Sequence, residues 1–374
     1  MKKFVVIPDS YKGTLSSKQV CSIMQRKIEE HFPSSNVTCI PVADGGEGSV
    51  QAFLEAMGGE LVKLQVAGPY GEKVDSFYGL LPDGTAVIEM AAASGLPMVG
   101  NNKQAHKTTT YGVGELMLAA AKKGCKRIIM GLGGSATNDG GCGAAAALGV
   151  KFYDLAGNSF VPVGETLQDI VSIDVSTLAP EVKVLPIVTM CDIDNPLCGE
   201  RGAAHVFGPQ KGANPEQVQM LDKGLEHLAA VVKKDLGKDI LNVPGAGAAG
   251  GMGGGMIAFF NSNLQMGIET VLDTVGFDTI LEDASVVFTG EGCFDEQSMM
   301  GKVICGIIKR AKLKEVPVIC VAGSIARIPE NAYHRGLTAA FSINQKPLAF
   351  SEAAPLSEEN LSQTMDNILR LLKI

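Results

Sequence analysis

Residues 284–302, ASVVFTGEGCFDEQSMMGK, consist of an apolar run followed by a polar, glycine-bearing loop. The run Ala284 to Phe288 predicts a buried strand, and a helix-like stretch from Lys302 to Lys312 follows the loop. Open α/β sheets bind ligands in loops at the ends of their strands. We therefore predict a ligand-binding loop, although an ordinary solvated connection would also be acidic. Its carboxylate, amide and ammonium groups come from Glu291, Asp295, Glu296, Gln297 and Lys302.

The same alternation of strand, polar loop and helix opens and closes the chain. Phe4 to Ile7 and Val37 to Val42 are predicted strands, and Ser16 or Ser17 can cap a helix between them. Near the other end, Val316 to Val321 predicts a strand, and a helix with one apolar face starts at Ser357. Such alternation is typical of a parallel sheet covered by helices.

The middle of the chain has a different pattern. Leu61 to Met90 reads as strands joined by turns, which predicts an antiparallel meander at the start of a second domain. We therefore expect an α/β protein. A discontinuous Rossmann-like or flavodoxin-like parallel-sheet domain, residues 1–60 plus 263–374, carries an inserted α/β domain with a mixed sheet, residues 61–262.

Bulk composition argues against several classes of protein. The chain has 374 residues, which is long for one core, so two domains are the default expectation. A net charge of −8 does not support a basic surface for nucleic acid or anionic membrane. No apolar run approaches the roughly 20 residues of a membrane span. The N-terminus reads as a first strand, not as a signal peptide.

The nine cysteines form no CxxC pair and no Cys/His cluster. An unpatterned set of this kind, without an export signal, indicates reduced thiols and a cytoplasmic location. Cys191 and Cys293 lie beside acidic loop residues, so a redox or zinc role for either thiol is left open.

The loop from Gly131 to Gly141, GLGGSATNDGG, is a candidate for anion binding. A predicted strand delivers it to the start of an alanine-rich helix, where free N–H groups and the helix dipole favour phosphate. Its GLGGSA core also resembles the phosphate loop of the small-molecule kinases that include galactokinase and homoserine kinase. The alternative is a tight packing turn.

A second glycine-rich stretch spells GxGxxG from Gly245 to Gly250. Pro244 precedes it and more glycines follow, which does not fit the strand–turn–helix context of a dinucleotide site. A nest of backbone N–H groups for phosphate, or a hinge, fits better. No Walker loop, protein-kinase motif set or GxSxG motif is present in the sequence.

Acidic residues recur in loops, most of them at or just past the predicted strand ends. Mg²⁺ binds one or two such carboxylates together with phosphate oxygens and water, and another carboxylate could accept a hydroxyl proton. Lysines in the same loops supply charge for phosphate, although each could also be solvated. The acidic residues are Asp9, Asp44, Glu47, Asp139, Asp192, Asp194, Glu291 and Asp295, and the lysines are Lys12, Lys211 and Lys302.

Seven segments together resemble the bacterial type-1 glycerate kinase family. They run in order through most of the chain, and only their combination is specific. Two small departures are Ser298, where threonine is more frequent, and Tyr11, where phenylalanine is usual. The segments are PDSYKGTLSS (8–17), PVADGGEGS (41–49), GLGGSATNDGGCG (131–143), CDIDNPLCG (191–199), FGPQKGA (207–213), GAGAAGGMGGG (245–255) and TGEGCFDEQSMMGK (289–302).

The resemblance implies ATP-dependent phosphorylation of D-glycerate with Mg²⁺, and an active-site cleft between two α/β domains. Many members of the family phosphorylate the 2-hydroxyl group and give 2-phosphoglycerate; 3-phosphoglycerate stays open. Nucleic acid and membranes are not expected partners, and a homodimer is compatible with the sequence. Two rival functions are a kinase of the galactokinase type and a sugar-acid sensor without enzymatic activity.

The resemblance and the loop chemistry together give each candidate residue an expected role. We expect catalytic groups at Asp192, Asp295, Lys302 and Lys12, with Asp192 or Asp295 as the acceptor of the substrate proton. We expect the nucleotide at Gly133, Gly134, Ser135, Asn138, Gly247 and Gly250. We expect the substrate at Asp9, Ser10, Lys211 and Gln297. We expect Mg²⁺ at Asp44, Asp194 and Glu291.

Overall fold

A computed structural model of the chain describes residues 1–42, 48–299, 302–328 and 330–374. The chain divides into two compact units. Unit 1 comprises Met1–Asp44, Glu55–Met57 and Met266–Ile374, and unit 2 comprises Gly45–Leu54 and Gly58–Gln265. Within the described ranges, no helix is both long enough and apolar enough to cross a membrane.

The strands and helices are numbered here along the chain. The strands are β1 (Lys3–Val6), β2 (Asn36–Cys39), β3 (Glu60–Ala67), β4 (Lys73–Leu80), β5 (Thr85–Glu89), β6 (Arg127–Gly131), β7 (Lys151–Tyr153), β8 (Ser159–Phe160), β9 (Ser172–Asp174), β10 (Ile187–Met190), β11 (Asn263–Gln265), β12 (Val286–Thr289), β13 (Cys293–Phe294), β14 (Val318–Ala322), β15 (Ser324–Ile325) and β16 (Leu337–Ser342). The helices are α1 (Ser17–His31), α2 (Ser49–Met57), α3 (Ala91–Ser94), α4 (Leu96–Val99), α5 (Tyr111–Lys122), α6 (Cys142–Ala147), α7 (Pro180–Lys183), α8 (Ala203–Phe207), α9 (Pro215–Leu236), α10 (Ala248–Phe260), α11 (Gly267–Thr274), α12 (Phe277–Ile280), α13 (Val303–Leu313), α14 (Ala332–Arg335), α15 (Phe350–Ala353) and α16 (Ser357–Leu371).

Unit 1 is built on a fully parallel sheet with the strand order β16-β14-β12-β1-β2. Counted in order of appearance within the unit, this is the 2-1-3-4-5 order of flavodoxin-like folds. Strands of such sheets are covered on both faces and are therefore almost continuously apolar; β12 and β14 are buried throughout, and Thr289 is their one polar residue. The predicted discontinuous parallel sheet is confirmed.

The first and last helices of unit 1 pack against this sheet. Helix α1 begins after Ser16, whose hydroxyl oxygen accepts a hydrogen bond from the backbone nitrogen of Gln19 at 3.2 Å, as the sequence predicts. Its apolar face shares one core cluster with the apolar face of α16 and with the strand residues Phe4 and Phe288. The polar loops that follow β1 and β12 are thereby anchored to a rigid base.

Unit 2 contains the predicted mixed sheet, with the order β11-β10-β6-β5-β4-β3. Strands β3, β4 and β5 form the antiparallel meander, whereas β5, β6, β10 and β11 are parallel. Because β6 and β10 are parallel neighbours, the loops that follow them leave the same edge of the sheet. Those loops carry residues 132–141 and 191–199, so the sheet brings together two of the glycine-rich and acidic segments.

Candidate active site

In unit 1, the loops after β1 and β12 begin side by side. The backbone nitrogen of Asp9 donates to the carbonyl oxygen of Gly290 at 2.8 Å, and the Thr289 hydroxyl donates to the carbonyl oxygen of Ile7 at 2.9 Å. In the 2-1-3-4-5 strand order, β1 and β12 flank the point where chain direction across the sheet reverses. Ligands of doubly wound folds bind at this point. The predicted Asp9–Lys12 and Glu291–Lys302 segments therefore share one edge.

The loop after β1 is held down by Tyr11, which is 1% exposed. Its hydroxyl donates to the carbonyl oxygen of Val321 in β14, and burial raises the pKa of Tyr11. Gly290 leaves room for this contact, because a Cβ atom there would lie 2.0 Å from the same carbonyl oxygen. The side chain of Asp9 accepts from the backbone nitrogen of Ser10 at 2.6 Å, and the neighbouring Lys12 is exposed.

Glu291 is a carboxyl group with a strongly shifted pKa at this edge. Its pKa is raised to about 7, chiefly by burial and also by the Asp9 and Asp295 charges, while a hydrogen bond with Ser298 and the Lys302 charge act to lower it. Its Oε1 atom is buried and has no hydrogen-bond partner among the described residues. A buried, unpartnered carboxylate oxygen beside other acids is stabilised by a proton or by a cation.

Residues 295–298 form a tight turn. The Oδ1 atom of Asp295 accepts from the backbone nitrogens of Gln297 at 2.8 Å and Ser298 at 3.3 Å. The Lys302 ammonium group donates to the amide oxygen of Gln297 at 3.1 Å. The structure thus places Asp295 as the residue that shapes the turn, and it pairs Gln297 with Lys302.

The predicted Mg²⁺ ligands are not gathered in one cluster of described residues. Asp44, like the neighbouring Glu47, lies outside the described residues. Asp194 belongs to unit 2, is exposed, and forms an ion pair with Arg201 at 2.8 Å. In the described part of the chain, no group of three or more His, Cys, Asp or Glu residues is arranged to hold a metal. Glu291 still fits Mg²⁺, which often takes only one or two protein carboxylates.

In unit 2, residues 132–141 connect β6 to α6 and pass beside the segment that contains α3 and α4. The backbone nitrogen of Leu96 donates to the carbonyl oxygen of Gly134 at 2.8 Å, and the backbone nitrogen of Ala136 donates to the carbonyl oxygen of Ser94 at 2.8 Å. Gly134 is exposed and has φ +75°, a conformation that favours glycine. Gly133 and Gly134 therefore lie at an open bend of the loop, whereas Ser135 is buried.

Lys211 lies beneath this loop and is 2% exposed. Its ammonium group donates to the hydroxyl oxygen of Ser135 at 2.7 Å and to the carbonyl oxygen of Thr137 at 2.8 Å. Burial lowers the pKa of Lys211 to about 7, and the charge of Asp139 acts in the opposite direction. The predicted substrate-binding lysine is thus placed against the predicted phosphate loop, within unit 2.

Thr137 and Asn138 carry unsatisfied polar atoms. Both side chains are 0% exposed, yet Thr137 Oγ1 and both side-chain polar atoms of Asn138 have no hydrogen-bond partner among the described residues. Buried polar groups are nearly always paired, so these atoms are suited to hydrogen bond to a ligand or to water. Asn138 was among the predicted nucleotide-binding residues. Thr137 was not, since a lone threonine in a loop carries no distinct signal.

The second glycine-rich stretch lies against the first. Ala249, Gly250 and Gly251 interrupt α10 with positive φ angles. A Cβ atom on Gly250 would lie 2.0 Å from the carbonyl oxygen of Thr137, and one on Gly247 would lie 2.2 Å from that of Pro196. Close packing of backbone segments thus accounts for glycine at both predicted nucleotide-binding positions, Gly247 and Gly250.

The loop after β10 carries the two remaining predicted acids of unit 2. Asp192 is exposed and directly follows Cys191, whose pKa is raised by burial. All nine cysteines are free thiols. Asp192 belongs to unit 2, whereas Asp9, Glu291 and Asp295 belong to unit 1, so the candidate groups fall into two sets.

Known proteins match this chain over its whole length. The family profile described as "Glycerate kinase family" matches residues 4–373. The chain is 46% identical over 374 residues to the glycerate kinase of Bacillus cereus, covering 100% of this chain and 98% of the relative. It is 43% identical to the glycerate 2-kinase of Escherichia coli K12, with the same coverage.

A crystal structure of a Salmonella typhimurium LT2 protein assigned as glycerate kinase 2 has the same fold. The two chains superpose with a TM-score of 0.90 at 42% identity, covering 100% of this chain and 98% of the other. A profile match from residue 4 to residue 373, together with full-length relatives above 40% identity, leaves one assignment: the chain belongs to the glycerate kinase family.

Proposed function

We propose that the protein transfers the γ-phosphoryl group of ATP to D-glycerate and forms 2-phosphoglycerate. The observation that carries the proposal is the family match over residues 4–373. The Escherichia coli relative is named glycerate 2-kinase, which supports the 2-hydroxyl group as the acceptor. A cytoplasmic location is part of the proposal and is supported by the nine free thiols.

The glycine-rich loop of unit 2 is proposed to hold the nucleotide phosphates. Phosphoryl transfer depends on positioning and charge neutralisation more than on covalent chemistry by the protein. The backbone of exposed Gly134 and half-buried Gly133 can donate N–H groups to phosphate oxygens. The Asn138 side chain, which has no hydrogen-bond partner among the residues that the structure describes, supports a ligand in the same region.

Glu291 is proposed as a ligand of Mg²⁺ at the sheet edge of unit 1. The Oε1 atom of Glu291, which is buried and has no hydrogen-bond partner in the part of the chain that the structure describes, and the neighbouring Asp9 carboxylate supply the oxygen donors that this ion prefers. Asp44 is the other expected ligand in unit 1. When bound, Mg²⁺ supplies neutralisation of the phosphate charge.

Lys12, Ser10 and Lys302 are proposed to orient glycerate and the transferred group, because they lie at the edge that carries Glu291. Lys302 is paired with Gln297, the other proposed substrate ligand of this loop. Asp192 or Asp295 is proposed to accept the hydroxyl proton. Asp192 belongs to unit 2 and Asp295 to unit 1, so the choice between them decides which unit supplies the proton acceptor.

A coupled assay with ATP, Mg²⁺ and a panel of hydroxy acids tests this function. We expect D-glycerate to be the preferred acceptor. Adding enolase alone consumes 2-phosphoglycerate, whereas 3-phosphoglycerate is consumed only after phosphoglycerate mutase is also added. No turnover of D-glycerate would contradict the proposal, and turnover that depends on the mutase would reassign the acceptor hydroxyl group.

The two rival functions make different predictions. A kinase of the galactokinase type would place the GLGGSA loop in a different fold. The discontinuous parallel sheet of unit 1 therefore argues against this rival function. A sugar-acid sensor would bind D-glycerate but would not consume ATP in the same assay.

A further inference from the structure

We infer that Lys211 is a positioning residue that fixes the 131–141 loop for nucleotide phosphates and does not bind glycerate. The inference rests on the proposed use of ATP, and it replaces the substrate-binding role expected from the sequence. It depends on contacts that lie within unit 2.

The first argument is the pair of atoms that Lys211 joins. Its ammonium group contacts the Ser135 hydroxyl oxygen at 2.7 Å and the Thr137 carbonyl oxygen at 2.8 Å. These two acceptors lie on either side of Ala136 in the middle of the loop. A single side-chain nitrogen that donates to both acceptors is a clamp that fixes the path of the chain between them. A protonated lysine has three N–H donors and a neutral one has two, so both protonation states can make the two contacts.

The second argument is burial. Lys211 is 2% exposed, and its side chain ends in contacts with the protein. Burying an ammonium group is costly, and the cost shows in a lowered pKa. The acid whose charge acts on it, Asp139, is itself fully buried. The Lys211 ammonium group is therefore enclosed by the protein and held by the loop.

The third argument is what the clamp holds in place. The Thr137 carbonyl oxygen lies between the Lys211 ammonium group and Gly250, where a Cβ atom would approach it to 2.0 Å. The adjoining side chains of Thr137 and Asn138 carry the buried polar atoms for which the described ranges provide no hydrogen-bond partner. Polar side chains without partners tend to form local hydrogen bonds that would change the path of such a loop. Contacts from outside the loop prevent this change. Lys211 donates a hydrogen bond to the Thr137 carbonyl oxygen, and the backbone of Gly250 packs against the same oxygen.

The test compares nucleotide affinity with substrate KM in a Lys211→Met variant. The probe is a non-hydrolysable ATP analogue, AMP-PNP with Mg²⁺, titrated calorimetrically into the full-length protein. We expect affinity for AMP-PNP to fall at least tenfold and KM for ATP to rise in parallel, while KM for D-glycerate stays within about twofold. A structural defect alone would not separate the two KM values in this way.

Lys238→Met is the matched control. Lys238 also donates to backbone carbonyl oxygens, those of Ile257 and Ala258 at the end of α10, but it does not contact the 131–141 loop in the described structure. We expect it to leave AMP-PNP affinity unchanged. Ser135→Ala removes one acceptor of the clamp and serves as the second variant if Lys211→Met does not fold; it should weaken AMP-PNP binding by a smaller factor.

Two outcomes would overturn the inference. One is a tenfold rise in KM for D-glycerate with unchanged AMP-PNP affinity, which would return Lys211 to substrate binding. The other is unchanged AMP-PNP affinity in both Lys211→Met and Ser135→Ala. If the wild-type protein binds AMP-PNP but does not turn over D-glycerate, the proposed function is wrong. The role of Lys211 is then still decided by comparing the AMP-PNP affinities of the wild-type protein and the variants.

Discussion

The carboxylate of Asp139 accepts hydrogen bonds from both the backbone nitrogen and the hydroxyl group of Thr110, at 2.7 and 2.8 Å. It also accepts from the backbone nitrogens of Gly141 at 3.1 Å and Gly143 at 3.2 Å. Asp139 therefore joins the start of α5 to the start of α6. Burial raises its pKa, although these hydrogen bonds act to lower it. The sequence groups Asp139 with candidate metal ligands, whereas in the structure its carboxylate holds the starts of two helices together.

We expect Asp139→Asn to lower the free energy of unfolding by about 3 kcal/mol, because an amide cannot accept all of these bonds and leaves buried donors unpaired. Urea denaturation followed by circular dichroism measures the change. Asp154→Asn is the control, since Asp154 shapes an exposed turn and should have little effect. Unchanged stability combined with lost turnover would show that Asp139 acts in the reaction instead.

The parallel sheet of unit 1 could be predicted from sequence because each of its buried strands is a short apolar run ending in a polar loop. The same rule places Asp9 and Glu291 at one sheet edge. The contacts of Lys211 could not be predicted, because they join segments far apart in the sequence and leave no periodic signal. For the same reason, Gly250 resembles a phosphate-binding glycine in sequence, whereas the structure shows it packed against Thr137.

Glu291→Gln should raise the Mg²⁺ concentration needed for half-maximal activity by at least tenfold, because the amide keeps the shape of the side chain but removes its charge. The measurement is an Mg²⁺ titration of turnover at saturating ATP and D-glycerate. Asp194→Asn is the matched comparison, since Asp194 is exposed and paired with Arg201. If Asp194→Asn shifts the titration and Glu291→Gln does not, the metal ligand is in unit 2.

The burial of Lys211 predicts a pH-dependent stability. Its folded-state pKa is lowered to about 7, whereas an unfolded lysine titrates near pH ~10.4. Between these values the unfolded chain binds a proton that the folded chain does not, so stability from this group rises with pH. The limiting slope is about 1.4 kcal/mol per pH unit. Below pH 7, both states are protonated and the full cost of burying the charge is present.

Urea denaturation of wild type and Lys211→Met at pH 7, 8.5 and 10 tests this dependence. The wild-type protein should gain stability relative to the variant as the pH rises, because methionine has no proton to exchange. Parallel stability curves over this range would show that the Lys211 ammonium group keeps an ordinary pKa in the folded protein.

The two candidate proton acceptors should respond differently to substitution by asparagine. Asp295 uses Oδ1 to accept from the backbone nitrogens of Gln297 and Ser298, and an asparagine oxygen can accept the same bonds. We therefore expect Asp295→Asn to keep the turn and to lower kcat less than tenfold. Asp192 is exposed at the end of β10, and its replacement should lower kcat by roughly 10²–10⁴, the usual contribution of a general base.

Single-turnover kinetics with saturating D-glycerate measure the chemical step for both variants, and circular dichroism checks that each is folded. A larger loss in Asp295→Asn would make Asp295 the base and its role in the turn secondary. Near-normal turnover in both variants would exclude both residues as proton acceptors. The transferred proton would then leave through another group, and Glu291, whose pKa is raised to about 7 by burial, would be the next carboxyl group to replace.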